Sequence, residues 1–279
     1  MMETVMHKSP ASTAAPIQQQ QPLQPRVITI DIPMAGYLRL YRWENISKHA
    51  GKYPPHIFKQ IAVKEYAQRF PHITTFIETG TYKGKMIEVV SKMFTNIITI
   101  ELADKLYERA RKLFANQPHI TCIHGDSGKK LVEVMASLRG PAMFWLDGHH
   151  CDGLSAKGDL DTPIIAELAT IAQHKNAADH VILIDDAACF NGTNDYPTLE
   201  QMEVMCKKLF PLAVFEVEKN LIRIHPQEKN LQRPTVIVQA RIGGVLDVLR
   251  LLASALAGSV KVFKFPFKSP GDKVVDRLR

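Results

Sequence analysis

Residues 76–84 are Phe76-Ile77-Glu78-Thr79-Gly80-Thr81-Tyr82-Lys83-Gly84, an apolar run that passes through an acid into two glycines. The apolar residues are typical of a buried strand, and the residues that follow have helical spacing. Glycines at such a turn allow positive φ and close approach to a ligand, and free N–H groups of the next helix face the same space. The segment therefore predicts the strand–turn–helix unit of a nucleotide-binding α/β fold.

A second acid follows at the expected distance. Ile97-Ile98-Thr99-Ile100 leads into Glu101, about 20 residues after Gly80, where an acid at the end of the second strand binds ribose hydroxyls. The turn lacks Gly-x-Gly-x-x-Gly, which disfavours a dinucleotide pyrophosphate. A ligand with adenosine but no phosphates suits it better, and a purely structural turn is the alternative.

Short β-rich segments alternate with helical patterns from Ile73 to Ile224, which predicts a doubly wound α/β fold with a mostly parallel sheet. After the first strand, the predicted parallel strands are Ile97–Ile100, His119–His124, Ala142–Leu146 and Val181–Ile184. The last two strands, Ala213–Glu218 and Leu221–Ile224, are joined by only two residues. That link is too short for a parallel crossover, so they form an antiparallel hairpin at one edge of a seven-stranded sheet.

This arrangement resembles class I S-adenosylmethionine-dependent methyltransferases over residues 73–226. The resemblance implies S-adenosylmethionine as cofactor, bound at the ends of successive strands. Its implied contacts are Glu78, Gly80, Thr81 and Gly84 for the methionine part, Glu101 for the ribose, Asp126 and Ser127 for the adenine amino group, and Asp147 at the end of the fourth strand. For Asp126, the alternative is a helix N-cap, and one carboxylate can serve both purposes.

Three acids follow the fourth and fifth strands: Asp147, Asp185 and Asp186. Because neighbouring parallel strands end at one rim, these carboxylates are expected to converge and to repel one another. A divalent metal, Mg²⁺ above all, would relieve the repulsion. Leu146-Asp147-Gly148 with Ile184-Asp185-Asp186 also resembles the metal-dependent O-methyltransferases of the catechol and macrocin type. Capping and solvation of loop ends is the alternative.

Two histidines follow Asp147 directly, and both are candidate catalytic bases. His149 and His150 titrate near neutral pH and could remove the proton from an acceptor hydroxyl, with Asp147 beside them. The alternative is that they are exposed at the rim. The loop Cys151–Asp161 is either a lid over the substrate or a long connection.

Composition limits the class of protein. The chain has 279 residues, a net charge of +7 and four cysteines without Cys-x-x-Cys spacing, which fits a reducing cytoplasm. No secretory signal is apparent, and no stretch offers ~20 uncharged apolar residues for a membrane span. The basic charge suits an anionic partner, although part of it lies near the C-terminus.

Four regions are predicted: a disordered Gln/Pro-rich tail (1–30), a helical cap (31–72), a methyltransferase core (73–226) and a C-terminal extension (227–279). Aromatic residues of the cap are expected to pack against the sheet. In the extension, Val236–Val238 predicts an added strand and residues 244–256 a helix. The phenylalanines and lysines at 261–268 suit an anionic surface, nucleic acid or a homo-oligomer contact.

The resulting hypothesis is a metal-assisted O-methyltransferase acting on a hydroxylated small molecule such as a sugar or glycan unit. A nucleic-acid methyltransferase is one alternative, but Asp147-Gly148-His149-His150 replaces the Asn/Asp-Pro-Pro-Tyr/Phe signature of amino-group methylation. The other is a non-catalytic binding protein with a vestigial cleft.

Overall fold

The structure is a computed structural model that describes residues 26–45, 55–148, 162–228 and 234–241. In chain order its strands and helices are β1 (Val27–Pro33), α1 (Met34–Asn45), α2 (His56–Arg69), β2 (Thr75–Thr79), α3 (Lys85–Val90), β3 (Asn96–Glu101), α4 (Asp104–Leu113), β4 (Ile120–His124), α5 (Ser127–Ser137), β5 (Ala142–Leu146), α6 (Ile164–Ala172), β6 (Val181–Ile184), α7 (Leu199–Leu209), β7 (Ala213–Glu218), β8 (Leu221–Pro226) and β9 (Thr235–Arg241).

Seven strands form the main sheet, in the order β4-β3-β2-β5-β6-β8-β7. The strands from β2 to β6 are parallel, and β8 runs antiparallel between β6 and β7. The predicted doubly wound, mostly parallel sheet with an edge hairpin is therefore confirmed. The chain moves outward from β2 to β4 and then returns to β5, so the strand order reverses between β2 and β5. Ligands of open α/β sheets bind outside the strand ends at such a reversal.

Local sequence determines the turn of the β7–β8 hairpin and the start of the preceding helix, α7. Lys219 and Asn220 have φ of 51° and 63°, as the two central residues of a type I′ hairpin turn require. Helix α7 begins at Leu199, because Thr198 and Gln201 form a capping box just before it. The Thr-x-x-Gln spacing is a helix start signal that can be read in the sequence.

The core has one layer on each face of the sheet. All five residues of β5 are buried, and they alternate between the layers. Phe144 and Leu146 pack with α5, α6 and α7, whereas Met143 and Trp145 pack with α2, α3 and α4. A strand covered on both faces has no polar side, which explains its continuous apolar sequence.

A second, two-stranded sheet corrects the predicted N-terminal boundary. Residues 27–30 were assigned to the disordered tail, but Val27–Pro33 is strand β1, which pairs in parallel with β9. Every second residue of β1 is buried, a period-two pattern visible in the sequence. The strand expected at Val236–Val238 is observed as part of β9, but outside the main sheet. The partner lies so far along the chain that no local pattern indicates the pairing.

Helix α2 joins the small sheet to the main one. Ile57, Phe58 and Ile61 pack against the small sheet, and Ala62 and Tyr66 pack into the main core. Tyr66 thus packs against the main sheet as expected, whereas Phe58 and Ile61 pack against the small sheet; the Trp43 side chain and Tyr53 lie outside the described residues. Since both sides of α2 are anchored, Lys59 on this helix is held beside Asp185 and Asp186, just after β6.

None of the helices that the structure describes has the length and apolar character needed to span a lipid bilayer. Cys122, Cys189 and Cys206 are free thiols; Cys151 lies outside the described residues. Of the C-terminal extension, residues 242–279 also lie outside the described part.

Two histidines connect the α5–β5 and α6–β6 links. The Ala142 N–H donates to His180 Nδ1 at 3.0 Å, so His180 Nε2 carries the proton and faces His174 Nδ1 at 3.0 Å. His174 Nε2 in turn faces the Leu138 carbonyl at 3.0 Å. This hydrogen-bond network is made by the neutral form of the His180 ring. Burial, with His174 adding to it, lowers the pKa of His180 to about 4.

This pair predicts a loss of stability in mild acid. A histidine whose folded pKa is depressed stabilises fully above its unfolded value of 6.5 and less as pH falls towards 4. Between pH 7 and pH 5 the loss is about 2 kcal/mol. Urea denaturation at the two pH values should show it in the wild type and in His72→Gln, which removes an exposed histidine. His180→Gln should lose that difference; an unchanged pH dependence would contradict the assignment.

Candidate functional site

The glycine turn between β2 and α3 leans on the end of β5. Gly80 and Gly84 have φ of 82° and 74°, and Tyr82 has φ of 48°. A Cβ on Gly80 would lie 2.2 Å from the Asp147 carbonyl oxygen, far inside van der Waals contact. The turn and Asp147 therefore meet at the point where the strand order reverses.

Glu101, the last residue of β3, holds this turn in place. One of its carboxylate oxygens accepts the Tyr82 N–H at 2.7 Å, and the other accepts the Ala103 N–H at 2.9 Å. The side chain is buried. Glu101, the residue predicted to bind the ribose, thus lies at the expected strand end. It also supports Tyr82, whose left-handed backbone would otherwise be strained.

Glu78 and Thr81 lie beneath the turn. Both are buried, and the Thr99 hydroxyl joins them, lying 2.6 Å from the Glu78 carboxyl and 2.5 Å from the Thr81 hydroxyl. Burial raises the pKa of Glu78 well above its usual range, and the charges of Asp147 and Glu101 raise it further. A cation bound against these acids would reverse that shift.

Asp126 is the N-cap of α5, as the alternative interpretation expected. Its Oδ1 accepts the Gly128 N–H at 2.9 Å, while its Oδ2 lies 3.8 Å from Lys129 Nζ. Ser127 is buried. A carboxylate has lone pairs beyond the one used in capping, so the cap leaves room for the ligand contact that the resemblance implies.

A polar corner surrounds Gly148 and includes Glu167, a residue that the sequence pattern did not single out. A Cβ on Gly148 would lie 3.1 Å from Ser127 Oγ, 3.2 Å from Thr79 Oγ1 and 3.4 Å from Glu167 Oε1. Glu167 is buried on α6, on the same helical stripe as Ile164 and Leu168. An acid on the apolar stripe of a helix was the available signal, because buried charges are rare without a role.

The three acids of the predicted metal site lie along the expected rim, but a lysine contacts two of them. Lys59, from α2, donates to Asp185 Oδ2 and lies 3.3 Å from Asp186 Oδ1. Asp147 acts on the same ammonium electrostatically. Among the described residues, no group of three or more acids, histidines or cysteines is arranged to hold a metal ion. The expected Mg²⁺ site is therefore not confirmed. That expectation considered the acids alone and did not include the Lys59 ammonium as their counter-charge.

Electrostatics keep the lysine charged. Burial lowers the pKa of Lys59, but Asp185, Asp186 and Asp147 together raise it above its ordinary value. Asp185 is buried and also accepts the Asp186 N–H at 2.7 Å. Burial raises the pKa of the Asp185 carboxyl, while the ammonium and that N–H oppose the rise. Both donors favour the carboxylate form of Asp185.

Asn220, in the β7–β8 turn, supports the loop after β6. Its side-chain amide donates to Asp186 Oδ1 at 3.0 Å and accepts the Ala188 N–H at 2.7 Å. Asp186 has φ of 52°, a left-handed conformation that needs such support. The hairpin turn thus fixes where the Asp186 carboxylate lies.

The structure does not describe the remaining predicted site residues. His149, His150 and the loop Cys151–Asp161 lie outside the described residues, so their roles stay predictions. Thr162, just after that loop, accepts the Ile164 N–H through its hydroxyl at 3.4 Å, one residue before Pro163, the N-cap of α6.

No protein-family model matches this sequence, and no curated protein matches it. Solved structures of similar fold include the methyltransferase PaMTH1 of Podospora anserina bound to S-adenosylhomocysteine (SAH): identity is 16%, 71% of this chain and 89% of that chain are covered, and the TM-score is 0.44. An O-methyltransferase from Bacillus cereus in complex with SAH has 13% identity, coverage of 69% and 90%, and a TM-score of 0.42. The SAH-bound N-methyltransferase NodS from Bradyrhizobium japonicum has 11% identity, coverage of 68% of this chain and 100% of that chain, and a TM-score of 0.41. At such identities and TM-scores, the case for a function rests on this chain's own residues.

Proposed function

We propose that this chain is an S-adenosylmethionine-dependent O-methyltransferase that acts on a hydroxylated small molecule, such as a sugar or a glycan unit. The observation that carries the proposal is the close contact of Gly80 with the Asp147 carbonyl, 2.2 Å from the missing Cβ. It lies at the reversal of strand order, and Glu101 and Asp126 follow the two neighbouring strands. This is the place and the acid spacing that an adenosyl ligand needs.

The charge of the site suits a cationic cofactor without phosphates. Glu78 lies close enough to Asp147 and Glu101 for both to raise its pKa, so a phosphate there would be repelled and a cation attracted. When bound, S-adenosylmethionine supplies a methyl group on a positively charged sulfur. Thr79 Oγ1, buried without a hydrogen-bond partner within the described ranges, offers the ligand one more polar contact.

The proposed contacts are those that the family resemblance implies, and the side chains lie near the strand ends where they would be needed. Glu78, Thr81 and the two glycines form the wall for the methionine part, Glu101 accepts from the ribose hydroxyls, and Asp126 with Ser127 receives the adenine amino group. Asp147 borders both this wall and the acidic rim. It therefore separates the cofactor from the place where an acceptor would approach.

An acceptor hydroxyl must lose its proton to become a nucleophile. We assign this step to His149 or His150, which directly follow Asp147 in the sequence. Imidazole is suited to the task near neutral pH. Metal assistance would require Asp147, Asp185 and Asp186 to bind a divalent ion together, and the contact of Lys59 with two of them disfavours that version.

Isothermal titration tests the cofactor assignment. SAH should bind with a dissociation constant of about 1–100 µM. S-inosylhomocysteine, which has an oxo group in place of the adenine amino group, should bind about tenfold more weakly, the equivalent of one hydrogen bond. Asp126→Ser keeps a good N-cap but removes the carboxylate, so it should bind the two compounds equally with little change in melting temperature.

Three outcomes would overturn all or part of the proposal. A folded protein that gives no heat with SAH would indicate a vestigial cleft. Binding with the adenine preference unchanged in Asp126→Ser would retain the cofactor and remove Asp126 from the adenine contact. Tight, strongly salt-dependent binding of RNA or DNA by an SAH-binding protein would replace the small-molecule acceptor with nucleic acid.

A further inference from the structure

Helix α2 places a cation among the acids at the ends of β5 and β6. Lys59 Nζ contacts Asp185 Oδ2 and lies 3.3 Å from Asp186 Oδ1, and only 19% of the lysine side chain and 1% of the Asp185 side chain are exposed. Lys59 lies far along the chain from the consecutive residues Asp185 and Asp186, and the three side chains form one largely buried ionic cluster, here called the Lys59 cluster.

We infer that the Lys59 ammonium is the resident cation of this rim and that the protein does not use a divalent metal there. The inference concerns the acceptor side of the proposed methyltransferase, and for its catalytic meaning it rests on that proposed function. Its structural content, a lysine in the place of a metal, can be tested without any activity.

The first support is spatial. A divalent ion bound by Asp185 and Asp186 needs carboxylate oxygens about 2.0–2.6 Å away, which is the space between the two carboxylates that Nζ occupies. Metal and ammonium cannot both be there, because two cations at that distance repel strongly. Binding a metal would require Lys59 to leave.

The second support is that α2 is fixed beside the acids. Phe58 and Ile61, which flank Lys59 on α2, are buried, so the helix cannot rotate to carry the residue away. The small cavity beside it is also lined by Lys219 and Arg223, which offer the ammonium no new partner. Glu65, the acid in that lining, already pairs with Arg69 at 3.3 Å.

The third support is the backbone after β6. Asp186 adopts a left-handed conformation. Its Oδ1 accepts hydrogen bonds from Lys59 Nζ at 3.3 Å and from the Asn220 side-chain amide at 3.0 Å. These two donors use both lone pairs of Oδ1. The loop is thus built around donors, which the ammonium supplies and a metal ion does not.

The consequence for the reaction is metal-independent activation of the acceptor. A carboxylate fixed by an ammonium can accept a hydrogen bond from an acceptor hydroxyl and orient it, while proton removal falls to a side chain. Lys59 then acts as a positioning residue through Asp185 and Asp186. Methyl transfer should therefore withstand removal of divalent ions by EDTA.

Mn²⁺ is the probe for the test, with the full chain and electron paramagnetic resonance of the free ion as the readout. Wild type and Lys64→Ala should bind no Mn²⁺ at this rim. Lys64 is the matched control, since it lies on the same helix but donates to the Asp31 carbonyl at 2.8 Å. Lys59→Ala should gain Mn²⁺ binding at least tenfold tighter than either, and Lys59→Ala/Asp185→Asn should lose that gain.

The inference is overturned if wild type binds Mn²⁺ and Asp185→Asn abolishes the binding, or if folded Lys59→Ala gains nothing over Lys64→Ala. The wild-type measurement needs no variant, so it can overturn the inference even if Lys59→Ala folds poorly. SAH titration of the same samples keeps the two proposals apart. Mn²⁺ results as expected without SAH heat would uphold the Lys59 cluster and remove the methyltransferase.

Discussion

Gly80→Ala is expected to destabilise the protein by about 4 kcal/mol or more and to abolish SAH binding. A non-glycine residue at a φ of 82° costs about 1–3 kcal/mol. The new methyl group would also lie 2.2 Å from the Asp147 carbonyl oxygen and 2.7 Å from its carbon, and overpacking of this kind costs about 1–3 kcal/mol more. The obstacle is backbone, so no side-chain rotation relieves it.

The β2–β5 pairing explains why the backbone cannot yield. The Asp147 N–H donates to the Thr79 carbonyl at 3.0 Å, and Thr79 is paired with Leu146 in the parallel register. Moving Asp147 away from an alanine at position 80 would pull these strands apart. The same movement would open the wall proposed for the methionine part of the cofactor.

Urea denaturation and SAH titration check the prediction against two matched glycine substitutions. Gly140→Ala should be neutral or slightly stabilising, because nothing lies within 4 Å of the position that its methyl group would take and alanine restricts the unfolded chain. Gly84→Ala should fall between them: φ is 74°, but the nearest atom is the Phe114 ring at 3.0 Å, which can shift. Equal stability of Gly80→Ala and Gly140→Ala would contradict the close contact.

The sequence was sufficient where local chemistry determines the structure. The buried strand Ala142–Leu146 and the hairpin turn at Lys219-Asn220 were both predicted with the observed bounds, since one is a continuous apolar run and the other a two-residue link. Position along the chain also indicated that Asp147 and Asp185 would share a rim, because they end adjacent parallel strands.

The sequence was insufficient where partners are distant in the chain. Pairing of β1 with β9 joins two ends that no spacing rule connects, so residues 27–30 were assigned to the tail. Lys59 was missed for the same reason: on α2 it is one polar residue among many, and only the tertiary fold brings it to Asp185. A repulsion among acids can be inferred from sequence, but the identity of its counter-charge cannot.

Glu101→Gln is expected to cost about 3 kcal/mol of stability and to weaken SAH binding at least tenfold. Each Glu101 oxygen accepts a different backbone N–H, from Tyr82 and from Ala103. An amide has a single acceptor oxygen, so its NH₂ group must face one of these donors. Losing a charge-assisted bond and burying an unpaired donor together have about this cost, and the freed Tyr82 loosens the turn.

Glu78→Gln is the matched substitution, one strand away and equally conservative, and it should leave stability unchanged or slightly higher. Burial raises the pKa of Glu78 well above its usual range, so the folded protein favours the neutral carboxyl, which glutamine imitates while still accepting from Thr99. Thermal denaturation of the two variants at pH 7 separates the roles. A similar loss of stability in both variants would mean that Glu78 is buried as a carboxylate. A loss of stability below about 1 kcal/mol for Glu101→Gln would mean that the glycine turn does not depend on the two Glu101 hydrogen bonds.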